Sequence, residues 1–325
     1  GRGRMKTTNA KSTGSIDCVF GHGKTEIILS PLYDNRFGAP GKFSIARCPT
    51  CDVLQTVPRP DAPTLNALYE HFYNFSGEET TYTAFREWLF DSALYKLWLA
   101  MDGDITFSEI KGTGRLLDVG CNQGRGLEQF QKNGFDAEGQ EPNPIAAEVA
   151  RARGFQVSGD DLENFNVEKP YQTIVLSNVL EHSFTPREML EKINEMLAPD
   201  GEVWISLPNA DSSLRNIFGG DWINWHVPFH ITHFTGPHLR RLLAETGFEV
   251  FSFRNETPAL WVAHSIIAKL YSRPGEPTRR LRRAWFVGAW MVLVRTFLFP
   301  TLWGLNRNWR GDCLVVRARK MAAPQ

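Results

Sequence analysis

From residue 114 onward, short apolar runs alternate with segments whose apolar residues fall three and four apart. The runs are "RLLDVG", "FDAEGQE", "GFQVSG", "YQTIVLS" and "GEVWISLP", and their length is that of buried strands. Between them, residues Gly124–Asn133, Pro144–Arg153 and Pro186–Leu197 each carry a Gly, Asn or Pro boundary signal and read as helices. "GPHLRRLLAETGFEVFSF" adds a helix, a glycine stop and a strand, and "DCLVVRARK" supplies the last strand. Strands alternating with helices predict a doubly wound α/β domain, a parallel sheet with helices on both faces.

The pattern also divides the rest of the chain. Residues 1–15 lack an apolar core and read as a disordered leader rather than a signal peptide. Residues 16–60 are poor in helical periodicity and rich in Gly, Pro and Cys, which predicts a small loop-and-strand module held by something other than a core. Residues 61–113, with "LNALYEHFYNF" and "FREWLFDSALYKLWLAM", predict a helical bridge. The α/β domain takes 114–256 and 312–320, and the segment between, 257–311, is too long for a connection and reads as an apolar helical insert or cap.

Composition narrows the partners. At 325 residues and 42% hydrophobic, the chain has material for one large core and a smaller module. Lys and Arg balance Asp and Glu at 36 each, so no global basic field favours nucleic acid. The "CPTC" spacing is that of a metal or redox pair and not of a disulfide framework, which points to a reducing cytoplasm.

"CVFGH" followed by "CPTC" brings Cys18, His22, Cys48 and Cys51 forward as a ligand set. Three thiolates and an imidazole on two knuckles complete a tetrahedron around a structural zinc ion, a staple suited to a module with little core; the alternative is free buried thiols. With four protein ligands, no position stays open for catalysis.

In "LLDVGCNQG" a buried strand ends at Asp118 and turns through Gly120 to Gly124, where a helix begins. Ligands of open parallel sheets bind beyond the carboxyl ends of the strands, and glycine there admits close backbone approach. Glu141 closes the next strand, where a carboxylate accepts both hydroxyls of a ribose.

In order, "LLDVGCNQG", "GQEPNP", "GDDLENF", "IVLSNVLEH" and "LAPDGEVWISLPN" resemble the successive motifs of the class I S-adenosylmethionine-dependent methyltransferases. The likeness is to the small-molecule and sugar methyltransferases whose fourth strand ends in "LEH", a group whose members often carry an N-terminal zinc-binding segment. It implies a Rossmann-like seven-stranded sheet with an antiparallel last strand, and S-adenosylmethionine as cofactor. By the same resemblance Asp118, Gly120, Cys121, Asn122 and Gly124 lie along the methionine end, Glu141 and Pro142 at the ribose, Asp161 and Leu162 at the adenine, with Ser177 ending the fourth strand. Asn122 stands where the family usually has a glycine. Cys121 and Cys313 also read as core residues.

Methyl transfer needs an acceptor held in line and relieved of its proton. His182, closing "SNVLEH", is the first candidate base, or else a residue that fixes the strand-to-helix turn. The stretch "WHVPFHITHF" carries His226, His230 and His233. Pro228 between the first two argues against a helical metal pair. The resemblance places this loop after the fifth strand, where the fold walls its acceptor pocket. "PFHITHF" is similar to the subgroup's pattern of proline, one residue, histidine and aromatic, which implies His230 as the second candidate, with His226 and His233 as packing or capping groups.

"RRLRRAWFVGAWMVLVRTFLFPTLWGL" joins a basic run to an apolar stretch of membrane-spanning length. Arg295 and Pro300 argue against a span, and the flanking arginines and tryptophans favour a peripheral contact through 279–309, on the inner membrane face, or an apolar lid, over a buried cap. The expected acceptor is a hydroxyl of a sugar, sugar nucleotide or lipid-linked saccharide. Competing readings are carbon methylation of a keto-deoxysugar, a small lipid or quinone acceptor, a zinc-ribbon RNA-binding methyltransferase, and a cofactor-binding scaffold without catalysis.

Overall fold

The structure, a computed structural model, describes residues 16–72 and 92–321. The expected leader, 1–15, and residues 73–91 of the expected bridge lie outside the described residues.

Seven strands form the main sheet: β4 (Arg115–Val119), β5 (Asp136–Gln140), β6 (Val157–Ser158), β7 (Tyr171–Ser177), β8 (Leu197–Pro208), β10 (Phe248–Glu256) and β11 (Cys313–Lys320). Their order is β10-β11-β8-β7-β4-β5-β6. β4 pairs in parallel with both β5 and β7, and β7 with β8, whereas β11 runs antiparallel to both β8 and β10. The expected last-strand reversal is present. Because the central strands are covered on both faces, Leu116, Leu117, Ile174, Val175, Val203, Trp204 and Ile205 are all fully buried, as continuous apolar runs require.

Helices α3 (Arg125–Lys132), α4 (Pro144–Ala152), α5 (Pro186–Met196) and α7 (Gly236–Glu245) connect these strands close to the positions read from periodicity. Asn143 caps α4 by accepting from the Ile145 and Ala146 N–H groups, and Thr235 caps α7 through His238 N–H. A short α6 (Ser213–Phe218) follows β8. The topology sends every parallel strand toward one edge, so the loops after β4, β5, β7 and β8 converge there.

A second sheet is made from distant parts of the chain. β1 (Glu26–Leu32), β2 (Phe43–Arg47) and β3 (Leu54–Val57) form an antiparallel meander, and β9 (Thr232–His233) adds to its edge, with Leu54 opposite His233 and Gln55 opposite Thr232. The N-terminal module is therefore not held by its cysteines alone. Leu32, Phe43, Ile45 and Leu54 pack with Ala210, Trp222, Trp225 and Val227 in a shared core, which corrects the expectation of a module without one. The physical reason is that the apolar partners lie about 170 residues downstream, where no local pattern reveals them.

α1 (Ala62–His71) and α2 (Ala93–Asp102) are the described parts of the bridge. Leu65 of α1 packs with Phe37, Phe229 and Ile231, and α2 lies toward the insert, where Trp98 joins Leu214, Val262 and Val294. The insert is a helix pair, α8 (Ala259–Tyr271) and α9 (Ala284–Arg307), joined through a basic turn, Arg279–Arg282.

Candidate functional site

The turn after β4 is shaped by three left-handed residues, Gly120 (φ 69°), Asn122 (φ 50°) and Gly124 (φ 77°). Asparagine is among the few side-chain-bearing residues that adopt this conformation readily, so Asn122 keeps the glycine-like path. A Cβ on Gly120 would stand 3.0 Å from Val179 Cγ2, which would have to give way, and the positive φ would strain any side chain there. Cys121 points the other way: its thiol lies behind β5, where a Cβ on Gly139 would meet it at 2.4 Å, and burial pushes its pKa upward. Only its backbone borders the turn.

Two buried carboxylates frame this turn. Glu141 accepts the Asn122 N–H and the Asn143 N–H, both at 2.9 Å, one on each oxygen, and thereby ties β5 to the turn. Each oxygen retains a lone pair for a diol. Burial raises the pKa of Glu141. Asp118 is 7% exposed, and burial together with the neighbouring Glu141 charge lifts it to about 7. Such a pair favours a cationic ligand, because positive charge there restores both ionised forms. Leu162 is buried, Asp161 and Pro142 are exposed, and Gln140 Nε2 donates to the Asp160 carbonyl at 2.8 Å, holding the loop after β6 beside β5. Ser177 Oγ lies 3.1 Å from Ser206 Oγ and 3.4 Å from the Ile105 carbonyl, joining the ends of β7 and β8 to the segment after α2.

Beyond β7, a turn of 3-10 helix, Leu180–His182, meets the loop "WHVPFHITHF". The His182 and His230 rings pack edge to face with centroids 4.6 Å apart. His182 Nδ1 lies 3.0 Å from the Phe229 carbonyl and 2.8 Å from the Tyr69 hydroxyl of α1, and His230 Nδ1 lies 2.8 Å from the Asn224 carbonyl. Carbonyls only accept, so both rings carry their proton on Nδ1 and leave the Nε2 lone pair open. Burial lowers His182 to about 4 and His230 well below the ordinary histidine range, so both are neutral at physiological pH.

The other two histidines of the loop are structural. His226 packs against Phe37 and Phe229, with centroids 5.7 and 5.1 Å away. His233 sits in β9, with Nε2 3.0 Å from Thr56 Oγ1, and Thr235 takes the capping position instead. Thr56 also donates its hydroxyl to the His230 carbonyl at 2.6 Å and its N–H to the Ile231 carbonyl at 3.0 Å. The N-terminal sheet thus braces the loop at His230 and just after it.

Sequence reasoning missed Glu181 and Tyr69. Glu181 is 1% exposed, and burial raises it to about 8. A carboxylate directly following the apolar "IVLSNVL" was the available signal. A cavity of about 540 Å³ lies elsewhere, between α2, β10 and α9, and shares no residue with the glycine turn or the histidines.

The ligand atoms of Cys18, His22, Cys48 and Cys51 all lie within 4.8 Å of one another, with Cys18 Sγ and Cys51 Sγ 3.6 Å apart. Positive φ at Gly21 and Gly23 closes the first knuckle, where Cys18 N–H donates to the Gly23 carbonyl, and Asp52 N–H donates to the Cys48 carbonyl in the second. The Cys51 carbonyl accepts from Arg241 at 2.6 Å and lies 2.9 Å from His238 Nδ1, so the second knuckle is fastened to α7.

A seven-stranded sheet with its last strand reversed, a left-handed glycine turn after β4 and an acid closing β5 are the architecture of a Rossmann-like methyltransferase fold. Residues 98–252 match a family model described as a methyltransferase domain. Over that stretch, just under half of its length, the chain carries the domain of a methyltransferase enzyme. The ubiquinone biosynthesis O-methyltransferase of Erwinia tasmaniensis is 26% identical over 172 residues, which cover 50% of this chain and 65% of that protein. That of Salmonella paratyphi A is 28% identical over 125 residues, 35% of this chain and 51% of the relative. The chain thus spans less than two thirds of the length of the curated relatives it matches. Among solved structures, the 1,6-didemethyltoxoflavin-N1-methyltransferase of Burkholderia thailandensis superposes with a TM-score of 0.46 at 16% identity, covering 86% of this chain and 96% of that one.

Proposed function

We propose that this enzyme methylates a hydroxyl group of a lipid-linked acceptor, a lipid-linked saccharide above all, at a membrane surface. The observation that carries the reading is the exposed apolar face of α9, on the same chain as a methyl-transfer site. Bound S-adenosylmethionine supplies an activated methyl group. The donor set suits it: Glu141 takes the ribose diol, Asp118 and the Gly120 to Gly124 turn receive the cationic methionine end, and Asp161 with Leu162 borders the adenine. His182 and His230 wall the acceptor side and present Nε2 lone pairs to its hydroxyl.

At 24 residues α9 is about 36 Å long, enough by length and composition to cross a bilayer. Its geometry favours lying in the interface instead. Val287, Val294 and Leu302, spaced along the whole helix, are buried against the domain, so one flank is occupied from end to end. Arg295 is not the obstacle that its sequence position suggests. It turns inward, pairing with Asp102 and donating to the Met101 carbonyl at 3.0 Å. The outer flank carries Trp285, Val292, Leu293, Phe297 and Trp303, exposed by 46–73%. Arg279, Arg280, Arg282 and Arg283 stand at one end and Arg307 at the other, a charge pattern complementary to anionic headgroups.

A structural zinc ion completes the proposal. Three sulfurs and an imidazole, already drawn together on two knuckles, are the donor chemistry of a closed zinc site. A quinone-type lipid acceptor is the second reading, favoured by the names of the two relatives and equally served by α9.

One experiment tests the acceptor class. Vesicles made from the source cells' anionic lipid extract are incubated with the enzyme and methyl-labelled S-adenosylmethionine. Label is expected in the organic phase as an alkali-stable ether. Replacement of Trp285, Phe297 and Trp303 by Ser is expected to reduce that label about tenfold and to abolish vesicle flotation, with cofactor affinity unchanged. Label confined to water-soluble products, or flotation unaffected by the triple substitution, contradicts the proposal.

A further inference from the structure

Glu181 has no role in the transfer as described so far, yet it is 1% exposed and neither of its carboxylate oxygens has a hydrogen-bond partner in any other described residue. Among the described residues, no Lys or Arg nitrogen lies within 4 Å of it, and the nearest ionisable nitrogen is His230 Nε2, 4.0 Å from Oε1. A buried carboxylate without hydrogen bond or counter-cation is costly, and folded proteins keep one where a ligand completes it.

The two neighbouring imidazoles supply the rest of a ligand set. Each has its Nδ1 proton tied to a backbone carbonyl of the same loop, Phe229 for His182 and Asn224 for His230. That is the support that metal-binding histidines have, since it fixes the ring and leaves Nε2 as a donor. One ligand atom from each of Glu181, His182 and His230 falls within 4.8 Å of the others. Ligands sharing an ion at roughly 2.0–2.2 Å stand no more than about 4.4 Å apart, so small side-chain torsions close the set.

We propose that Glu181, His182 and His230 hold a divalent first-row transition-metal ion whose open positions take two adjacent oxygen atoms of the acceptor. Two imidazoles and one carboxylate suit manganese, iron, cobalt or zinc, whereas magnesium and calcium favour all-oxygen sites. The site differs from the cysteine cluster, where four protein ligands close the sphere. A cation acidifies the hydroxyl directly, as it does bound water. In the step, the acceptor O–H bond breaks and its proton passes to solvent. An O–CH₃ bond then forms as the S–CH₃ bond breaks, and the electron pair of that bond stays on sulfur. The substrate class narrows to acceptors with neighbouring oxygens, a vicinal diol or a hydroxy-ketone.

The inference rests on the acceptor-side placement proposed above, and its test separates the two. The full chain is stripped with chelator, reloaded with one equivalent of zinc, and titrated with Mn²⁺ by electron paramagnetic resonance. S-Adenosylmethionine binding is measured on the same samples. One bound Mn²⁺ per chain is expected, with Glu181→Gln and His230→Ala each weakening it at least about tenfold while cofactor affinity holds. Absence of Mn²⁺ binding in a wild-type protein that binds cofactor, or binding unchanged by Glu181→Gln, overturns the metal site and leaves the methyltransferase reading intact. Mn²⁺ binding without cofactor binding supports the metal site and sinks the other.

Discussion

His182→Ala and His230→Ala are each expected to slow methyl transfer by roughly 100-fold while leaving S-adenosylmethionine affinity within about twofold of wild type. The two rings pack against each other beyond β7, and their hydrogen-bond partners are Tyr69, Phe229 and Asn224 rather than Asp118, Glu141 or the glycine path. Single-turnover transfer of labelled methyl separates chemistry from cofactor binding. Each substitution also strands a backbone carbonyl, at Phe229 or Asn224, which costs about 1–3 kcal/mol of stability. A thermal melt must therefore accompany the rate. His230→Gln, which preserves a side-chain donor, controls for that loss. Normal turnover in both alanine variants would return the two histidines to packing.

The second large effect belongs to the cysteine cluster. Removing the proposed zinc ion with a strong chelator, or replacing Cys48 by Ser, is expected to lower the melting temperature by roughly 5–10 °C, a loss of a few kcal/mol. The consequence should travel, because the module's edge strand β3 pairs with β9, and Thr56 holds the carbonyls of His230 and Ile231. Methyl transfer should fall with the metal even though Cys18, Cys48 and Cys51 are not part of the cofactor turn. A stoichiometry near zero zinc per chain, or an unchanged melt after chelation, would contradict a structural staple. Differential scanning calorimetry beside metal analysis decides it.

Local pattern made the main sheet legible. Each parallel strand is a run such as "YQTIVLS" bounded by turn residues, and the helices open at boundary residues such as Gly124, Asn143 and Pro186, so these elements announce themselves within ten residues. The glycine turn and Glu141 were legible for the same reason, because they fall at strand ends. What escaped depends on distance along the chain. β9 is two residues long, and its pairing with β3 joins positions nearly 180 apart, so no periodicity encodes it. Arg295 looked like a barrier within an apolar stretch because its partner Asp102 belongs to another helix. Glu181 was passed over beside His182, since a carboxylate reads as exposed until the surrounding fold is known.

The central claim is that Asp118, Glu141 and the turn between them hold S-adenosylmethionine, and isothermal calorimetry tests it most directly. One saturable site per chain is predicted. Asp118, raised to about 7, must be ionised to receive a cationic ligand, and below that pH protons compete for it. Affinity should therefore be about tenfold weaker at pH 6 than at pH 8, and this pH dependence should vanish in Asp118→Asn. Absence of a binding isotherm at any pH, with the protein folded by its melt, would contradict the account.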